Sequence, residues 1–139
     1  MELKATRASA IGNLENFVEN NLGEYSKLRN FDFGPNKRSN TSCLSPYITH
    51  GVINETEVIK KSLDKFSFSK NEKFIQEILW RTYWKGWMEL RSGVWDDYLI
   101  DLKKIKQEFK DNRDYLNAIE GTTKIECFNE WVNELKTYN

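Results

Sequence analysis

The stretch FIQEILWRTYWKGWMEL, from Phe74 to Leu90, holds three of the chain's five tryptophans and has the periodicity of one long helix. On a helical wheel, Trp80, Trp84 and Trp87 fall on one stripe, and polar residues occupy only a narrow strip. A helix that is apolar nearly all round is usually buried. We therefore expect other elements to enclose this helix.

Glu77 and Arg81 lie on the aromatic side of that helix, four residues apart, where they can pair with each other. One interpretation is a structural ion pair next to tryptophan rings that simply pack in the core. The other is a cavity for a flat polar ligand. Burying such a pair costs desolvation energy, and nucleobases or flavins stack well on tryptophan. The helix alone leaves both interpretations open.

Composition makes a folded, soluble chain of one domain feasible. The chain has 139 residues, and its low hydrophobic content of 39% is offset by 14% aromatic residues, which each bury a large area. The formal net charge is zero, so no global field attracts nucleic acid or anionic lipid. Any contact with DNA would have to be a local patch.

Two cysteines, Cys43 and Cys127, lie far apart and lack metal-ligand spacing, and His50 is the only histidine. We expect no metal site and free, buried thiols. No segment reaches the roughly 20 apolar residues of a membrane span. The sequence therefore predicts a cytoplasmic protein with no membrane partner. We assign His50 no catalytic role, because no acid or nucleophile lies at a recognisable spacing.

Helical periodicity recurs along the chain without any alternating strand pattern, which predicts an all-α fold. A first helix runs from Ala8 to about Asn20. Asn54 with Glu57 forms a capping-box pattern ahead of the next long helix. We expect Ser69 to cap the tryptophan-rich helix and Gly93 to end it in the left-handed conformation. Three further helices are predicted in the stretches WDDYLIDLKKIKQEFK, DYLNAIE and IECFNEWVNEL.

The segment FDFGPNKRSNTSCLSPY, residues 31–47, is the one long loop in this pattern. Its Ser/Thr-rich part can present several hydroxyls and backbone N–H groups to one anion. Ser45 would cap a helix that starts at Pro46, which adds the dipole of the helix N-terminus. Such loops also cap helices without binding any ligand, so both interpretations stay open.

Three stretches in this order, TRASAIGNLENFV, TSCLSPY and FIQEILWRTYW, resemble the start of the flavin-binding helical domain of the DNA photolyase/cryptochrome family. GTTKIECFNEW is similar to the family's next segment. The residues WRTYWKGW and VWDDY look most similar to those of a bacterial subgroup in which this domain stands without the usual N-terminal antenna domain. The resemblance implies that residues 1–139 form the front part of a helical, bundle-like FAD-binding domain, with the C-terminal part missing.

The resemblance also implies roles for individual residues. Tyr25 would contact the phosphate region of FAD, and Phe74 and Arg81 would lie beside the flavin. Arg29 would contact the DNA backbone, while Glu77 would hydrogen-bond a flipped pyrimidine dimer that stacks on Trp80, with Trp84 on the same stripe. The residues implied to wrap the pyrophosphate are Thr41, Ser42, Cys43, Leu44 and Ser45.

The implied function is that of a deoxyribodipyrimidine photolyase, in which light-driven electron transfer from reduced FAD splits cyclobutane pyrimidine dimers in DNA. Two alternatives remain open: a non-catalytic flavin-binding or light-sensing module, and a remnant that keeps the fold without the cofactor. Thr49 and His50 stand where the family often has an aromatic residue, and Thr82 where it often has a glutamate. These departures concern dimer repair more than the fold.

Overall fold

The computed structural model describes residues 4–138, and within that range the chain is helical without any strand, which confirms the predicted all-α class. Met1 to Leu3 and Asn139, which the 1–139 domain prediction includes, lie outside the described range. The helices of the described part are α1 (Arg7–Asn20), a 3-10 turn (Leu22–Glu24), α2 (Tyr25–Leu28), α3 (Ser45–Thr49), α4 (Glu55–Lys65), α5 (Phe68–Glu89), α6 (Gly93–Glu108), α7 (Arg113–Glu120) and α8 (Glu126–Tyr138).

The chain divides into two compact units, the first up to Gly86 and the second from Trp87 onwards. Buried apolar side chains from α1, the 3-10 turn, α3, α4 and the first half of α5 form one core in the first unit. Apolar spacing of three and four residues gives α1 its buried stripe. The core consists of Ala10, Leu14, Phe17, Val18, Leu22, Leu44, Tyr47, Ile48, Ile53, Val58, Phe74 and Ile78.

Helix α1 packs on α4. Paired residues follow the same order along both helices, so the two helices run in the same direction. Lys61 Nζ donates to Glu15 Oε1 at 2.8 Å, and one turn further along both helices Lys65 pairs with Glu19. Such exposed pairs contribute little free energy. Val58 on α4 is fully buried, so apolar packing supplies most of the stabilisation between the helices.

The predicted capping box at the start of α4 is confirmed. Asn54 Oδ1 accepts from the backbone N–H of Glu57 at 2.9 Å, and Glu57 Oε2 accepts from the backbone N–H of Asn54 at 3.0 Å. Arg7 also pairs with Glu57 and donates to the Val52 carbonyl at 2.8 Å. The hydrogen bond from Arg7, together with that from the Asn54 N–H, lowers the pKa of Glu57.

The capping roles predicted for Ser69 and Gly93 at the two ends of the tryptophan-rich helix are wrong. Helix α5 begins at Phe68, so Ser69 lies inside its first turn. It ends at Glu89, and Gly93 is the first residue of α6. The backbone N–H of Val94 donates to the Arg91 carbonyl at 3.1 Å, so the chain enters the next right-handed helix directly. A glycine there needs no left-handed conformation.

The prediction that other elements enclose this helix holds only for the first half of α5. Asn71, Phe74, Ile75 and Ile78 are buried, whereas most large apolar side chains beyond them are exposed, Trp87 being half-buried. Trp80, for example, is 47% exposed. The core of the first unit extends along α5 only as far as Ile78. Periodicity identified an apolar surface, but it did not show which part of that surface is covered.

The second unit contains the three predicted later helices, α6 to α8, with boundaries close to expectation. Gly121 ends α7 at φ +71°, and a Cβ at this position would lie 2.9 Å from the Val132 side chain, so α8 approaches the turn closely. Cys127 on α8 is exposed and Cys43 is half-buried, both with free thiols. The predicted free state is therefore confirmed, and the predicted burial is wrong for Cys127.

We predict that Asn71→Ala destabilises the first unit. The Asn71 side chain donates from Nδ2 to the carbonyls of Ser62 at 2.8 Å and Phe66 at 3.1 Å, joining the start of α5 to the end of α4. Removing a donor from buried carbonyls costs about 1–3 kcal/mol. Urea unfolding followed by circular dichroism measures this loss.

Asn20→Ala is the matched control for Asn71→Ala. Asn20 is also an asparagine within a helix, but it is exposed, and its Nδ2 donates to the neighbouring side chain of Asn16 at 2.8 Å. Its substitution should change the unfolding free energy by less than about 0.5 kcal/mol. Equal effects of the two substitutions would contradict a special role for Asn71.

Candidate functional site

The candidate site lies in the first unit, where α5 meets α2, α3 and the loop of residues 31–44. Arg81 on α5 joins the two stretches that carried the sequence argument. Its Nη1 donates to Ser45 Oγ at 2.9 Å, and its Nη2 donates to Thr49 Oγ1. The Ser/Thr-rich loop and the tryptophan-rich helix therefore meet at one guanidinium.

This contact also corrects the predicted cap of α3. Helix α3 starts at Ser45 itself, and Leu44 occupies the N-cap position without a side-chain hydrogen bond. The Ser45 hydroxyl is used instead as an acceptor for Arg81. The five-residue helix is held at its start by a side chain from α5 rather than by its own cap.

The environment of the Arg81 guanidinium leaves its positive charge uncompensated within residues 4–138. Its hydrogen-bond partners there are hydroxyls, and no carboxylate forms an ion pair with it. In the same part of the chain its Nε atom is buried and has no hydrogen-bond partner. A buried donor without a partner is costly, so an anion beside this group would be favoured.

Glu77 and Arg81 do not pair with each other. The Glu77 carboxylate forms an ion pair with Arg29, the residue after α2, and the side chains are 47% and 26% exposed, respectively. The two charges on α5 thus have separate partners, because α2 and α3 offer both an arginine and two hydroxyls nearby. Glu77 raises the pKa of Arg29 through this hydrogen bond.

Tyr25 links that ion pair to the core. Its ring packs edge-on against Phe74 and against Phe17, with centroid distances of 5.3 and 5.9 Å. Burial raises the pKa of the Tyr25 phenol, and the Glu77 charge raises it further, while Arg29 opposes both effects. Phe74 is 2% exposed, so its ring lies behind the neighbouring rings as part of the core.

The loop of residues 41–45 makes a sharp bend at Cys43, whose φ is +50°. The backbone N–H of Leu44 contacts Ser42 Oγ at 3.4 Å, which is long for a hydrogen bond, and Leu44 is buried in the core. The Thr41 hydroxyl lies 3.6 Å from Cys43 Sγ. Within the described residues, the hydroxyls of Thr41 and Ser42 thus have only long hydrogen bonds, which a ligand could replace.

Trp80 and Trp84 form an exposed aromatic cluster together with Tyr83. The two indoles lie 5.8 Å apart at 18°, and the Tyr83 ring meets both edge-on at 5.6 and 5.3 Å. All three side chains are about half exposed. Sequence analysis did not identify this contact of Tyr83, although its spacing of three residues from Trp80 was the available signal.

Thr49 is the other functional residue that sequence reasoning missed. It was noticed only as a departure from the family pattern, yet its hydroxyl accepts from Arg81. Ser45 and Thr49 are four residues apart on α3, so they share one face of that helix. This spacing of two hydroxyls was the feature of the sequence that could have indicated a shared hydrogen-bond partner. His50, which follows α3, is not part of this arrangement.

Within residues 4–138, no helix is long and apolar enough to cross a membrane. The same part of the chain contains no group of three or more His, Cys, Asp or Glu side chains that could hold a metal ion. No protein-family model, curated protein or solved structure matches this chain. Functional inference therefore depends on the site itself and on the resemblance of its motifs.

We predict opposite shifts of the Tyr25 pKa in two charge-removing variants. Glu77→Gln should lower the pKa, because a nearby negative charge is lost and Arg29 is released towards the phenol. Arg29→Gln should raise it, because the opposing positive charge is lost. Ultraviolet titration of phenolate measures both shifts, with each variant compared with its Tyr25→Phe counterpart to remove the signal of the other tyrosines.

The sign for stability follows from the raised pKa. The folded state holds the Tyr25 proton more tightly than the unfolded state does. Protonated Tyr25 therefore adds to the free energy of unfolding, and this addition is fully present below the usual tyrosine pKa. This stabilisation is lost as pH rises through the raised pKa that Tyr25 has in the folded state. An unchanged Tyr25 pKa in Glu77→Gln would contradict the placement of that carboxylate beside the phenol.

Proposed function

We propose that this chain is a photolyase/cryptochrome-like FAD-binding protein that acts on cyclobutane pyrimidine dimers in DNA by light-driven electron transfer. The single observation that carries the proposal is the hydrogen bond between Arg81 and Ser45. It brings together residues 36 positions apart that belong to two motifs, each of which resembles the sequence pattern of the family. Segments of one dinucleotide site must meet in space.

The residues at this meeting point suit an anionic dinucleotide. Within residues 4–138 the Arg81 guanidinium donates to the hydroxyls of Ser45 and Thr49 and has a buried Nε without a partner. Thr41 and Ser42 carry further hydroxyls in the segment that leads to Ser45. Such donors bind phosphate oxygens well. In this proposal Cys43 and Leu44 provide the bend and its buried base, and Tyr25 and Phe74 provide the aromatic wall.

The substrate side of the proposal uses the exposed half of α5. Reduced FAD, when bound, supplies the electron that splits the dimer on illumination. Trp80 and Trp84 offer ring faces on which extruded bases stack. Glu77 lies one turn before Arg81, so its carboxylate can accept hydrogen bonds from a pyrimidine. Arg29, now paired with Glu77, would contact a backbone phosphate.

A non-catalytic flavin-binding or light-sensing module is the second candidate, and the zero net charge favours it because DNA-binding proteins usually carry excess positive charge. Purified protein distinguishes the functions. Light-dependent loss of dimers from an irradiated oligonucleotide would support the enzyme, and flavin absorbance without repair would support the module. A preparation that neither contains nor binds flavin would contradict both.

We predict that Arg81→Ala lowers the flavin content of the purified protein. Hydrogen bonds to a charged group contribute about 1.5–3 kcal/mol, so FAD affinity should fall by roughly tenfold or more. Ser42→Trp should also lower it by filling the bend. Flavin absorbance per protein, followed by titration with added FAD, measures the loss.

Arg113→Ala, at the exposed first residue of α7, is the matched control for Arg81→Ala and should keep full flavin content. Circular dichroism checks that each variant is folded. Stoichiometric flavin in both Arg81→Ala and Ser42→Trp would contradict the proposed binding site.

We predict separately that Trp80→Ala weakens binding to a dimer-containing oligonucleotide by about 1–3 kcal/mol per stacked base, without changing flavin content. Trp95→Ala is the control, because Trp95 is similarly exposed but lies on α6, outside the site. Fluorescence anisotropy measures the affinity. A parallel loss of flavin and of oligonucleotide binding in Trp80→Ala would assign Trp80 to packing alone.

A further inference from the structure

The loop of residues 31–40 exposes two phenylalanine rings that the proposed flavin site does not use. Phe31 and Phe33 are 60% and 47% exposed. Their rings are nearly parallel, at an interplanar angle of 13° with centroids 6.1 Å apart. They lie outside the buried cluster that forms the core of the first unit. Exposed apolar area of this kind carries a free-energy cost, which a function would explain.

The backbone of this loop is fixed by its own hydrogen bonds. Asn40 is buried and donates from Nδ2 to the carbonyls of Leu28 at 2.9 Å and Phe31 at 2.8 Å, which fastens the two ends of the loop together. The Gly34 N–H donates to Asp32 Oδ1 at 2.8 Å, and Gly34 has a φ of +82°. The two rings are therefore presented by an ordered turn.

The loop also carries local positive charge in a chain whose net charge is zero. Lys37 and Arg38 are adjacent, and Asp32 is the only acidic residue among residues 31–40, which leaves an excess of one positive charge. Aromatic rings beside cations are the combination that binds single-stranded nucleic acid, because bases stack on the rings while cations contact phosphates.

We propose that the loop of residues 31–40 is a binding site for single-stranded nucleic acid, with Phe31 and Phe33 as the stacking surface and Lys37 as a phosphate contact. The site requires neither flavin nor a lesion, so it goes beyond the function proposed above and does not depend on it. Charge complementarity favours a polyanion over a second copy of this chain, whose net charge is zero.

The test is fluorescence anisotropy of a short, undamaged, labelled oligothymidylate, titrated in the dark with the full chain. Phe31→Ala and Phe33→Ala should each weaken binding roughly tenfold. Phe68→Ala, which removes an equally exposed ring at the start of α5, should leave binding unchanged. Phe33→Leu keeps apolar area without a ring, so it should weaken binding nearly as much as Phe33→Ala.

The phosphate contact has its own signature. Lys37→Gln should reduce the slope of log K against log salt concentration by about 0.7, the value for one phosphate contact on a single strand. Oligouridylate titrated in parallel shows whether the site accepts RNA as well as DNA. Because base faces and phosphates are common to both, measurable binding of either strand supports the proposal.

Several outcomes would overturn the proposal. These are no measurable binding of either oligonucleotide, full affinity in Phe33→Leu, or an equal loss in Phe68→Ala. Sedimentation equilibrium supplies one more: a dimer that dissociates in Phe31→Ala would assign the rings to contact between copies of this chain. Loss of flavin binding in Arg81→Ala, with oligothymidylate binding retained, would separate this site from the proposed flavin site.

Discussion

The guanidinium of Arg81 determines the arrangement of the candidate site. It lies on the middle of α5 and donates to two hydroxyls of α3, so a short helix without a side-chain cap is held in place by a partner from a distant segment. Since both acceptors are neutral, the contact positions the loop without cancelling the positive charge. That combination distinguishes Arg81 from Arg29, whose charge is matched by Glu77.

Arg29 and Arg81 have the same side chain, but their different hydrogen-bond partners give them different capacities to bind an anion. An arginine paired with a carboxylate is electrostatically satisfied, and a ligand that binds it must compete with that carboxylate. An arginine that donates to hydroxyls keeps its positive charge available to an anion, and these hydrogen bonds also fix the orientation of its guanidinium. The described residues supply one of each beside the same side of α5, at Glu77 and one turn later at Arg81, with Tyr25 between the ion pair and the core.

Sequence patterns correctly predicted the features that depend on interactions between residues close together in the chain. The all-α class followed from periodicity, and the Asn54–Glu57 capping box followed from a spacing of three residues, because both partners belong to one turn. Sequence patterns did not identify the correct hydrogen-bond partner where that partner lies in a distant segment of the chain. Of the interpretations left open for Glu77 and Arg81, mutual pairing does not occur, because Glu77 pairs with Arg29 and Arg81 donates to Ser45. Ser45 does not cap α3, and its hydroxyl accepts from Arg81 instead.

Exposure was the least predictable property for a related reason. Large apolar residues recur along α5 both before and after Ile78, yet only those up to Ile78 are covered by the core. Likewise, Gly93 has the residue type of a helix end, but the following residues continue at once into α6. The meeting of the two motifs at Arg81 was anticipated only through the family resemblance, since no spacing rule connects residues 45 and 81.

The parallel arrangement of α1 and α4 has a consequence for how the chain is made. A ribosome releases α1 first, but the helix that covers its apolar stripe ends at Lys65. Until that point emerges, Leu14, Phe17 and Val18 lack a partner from α4, and closing the intervening segment carries an entropic cost. Nascent chains shorter than this should therefore remain uncollapsed or recruit a chaperone, and the first unit should form late and cooperatively during synthesis.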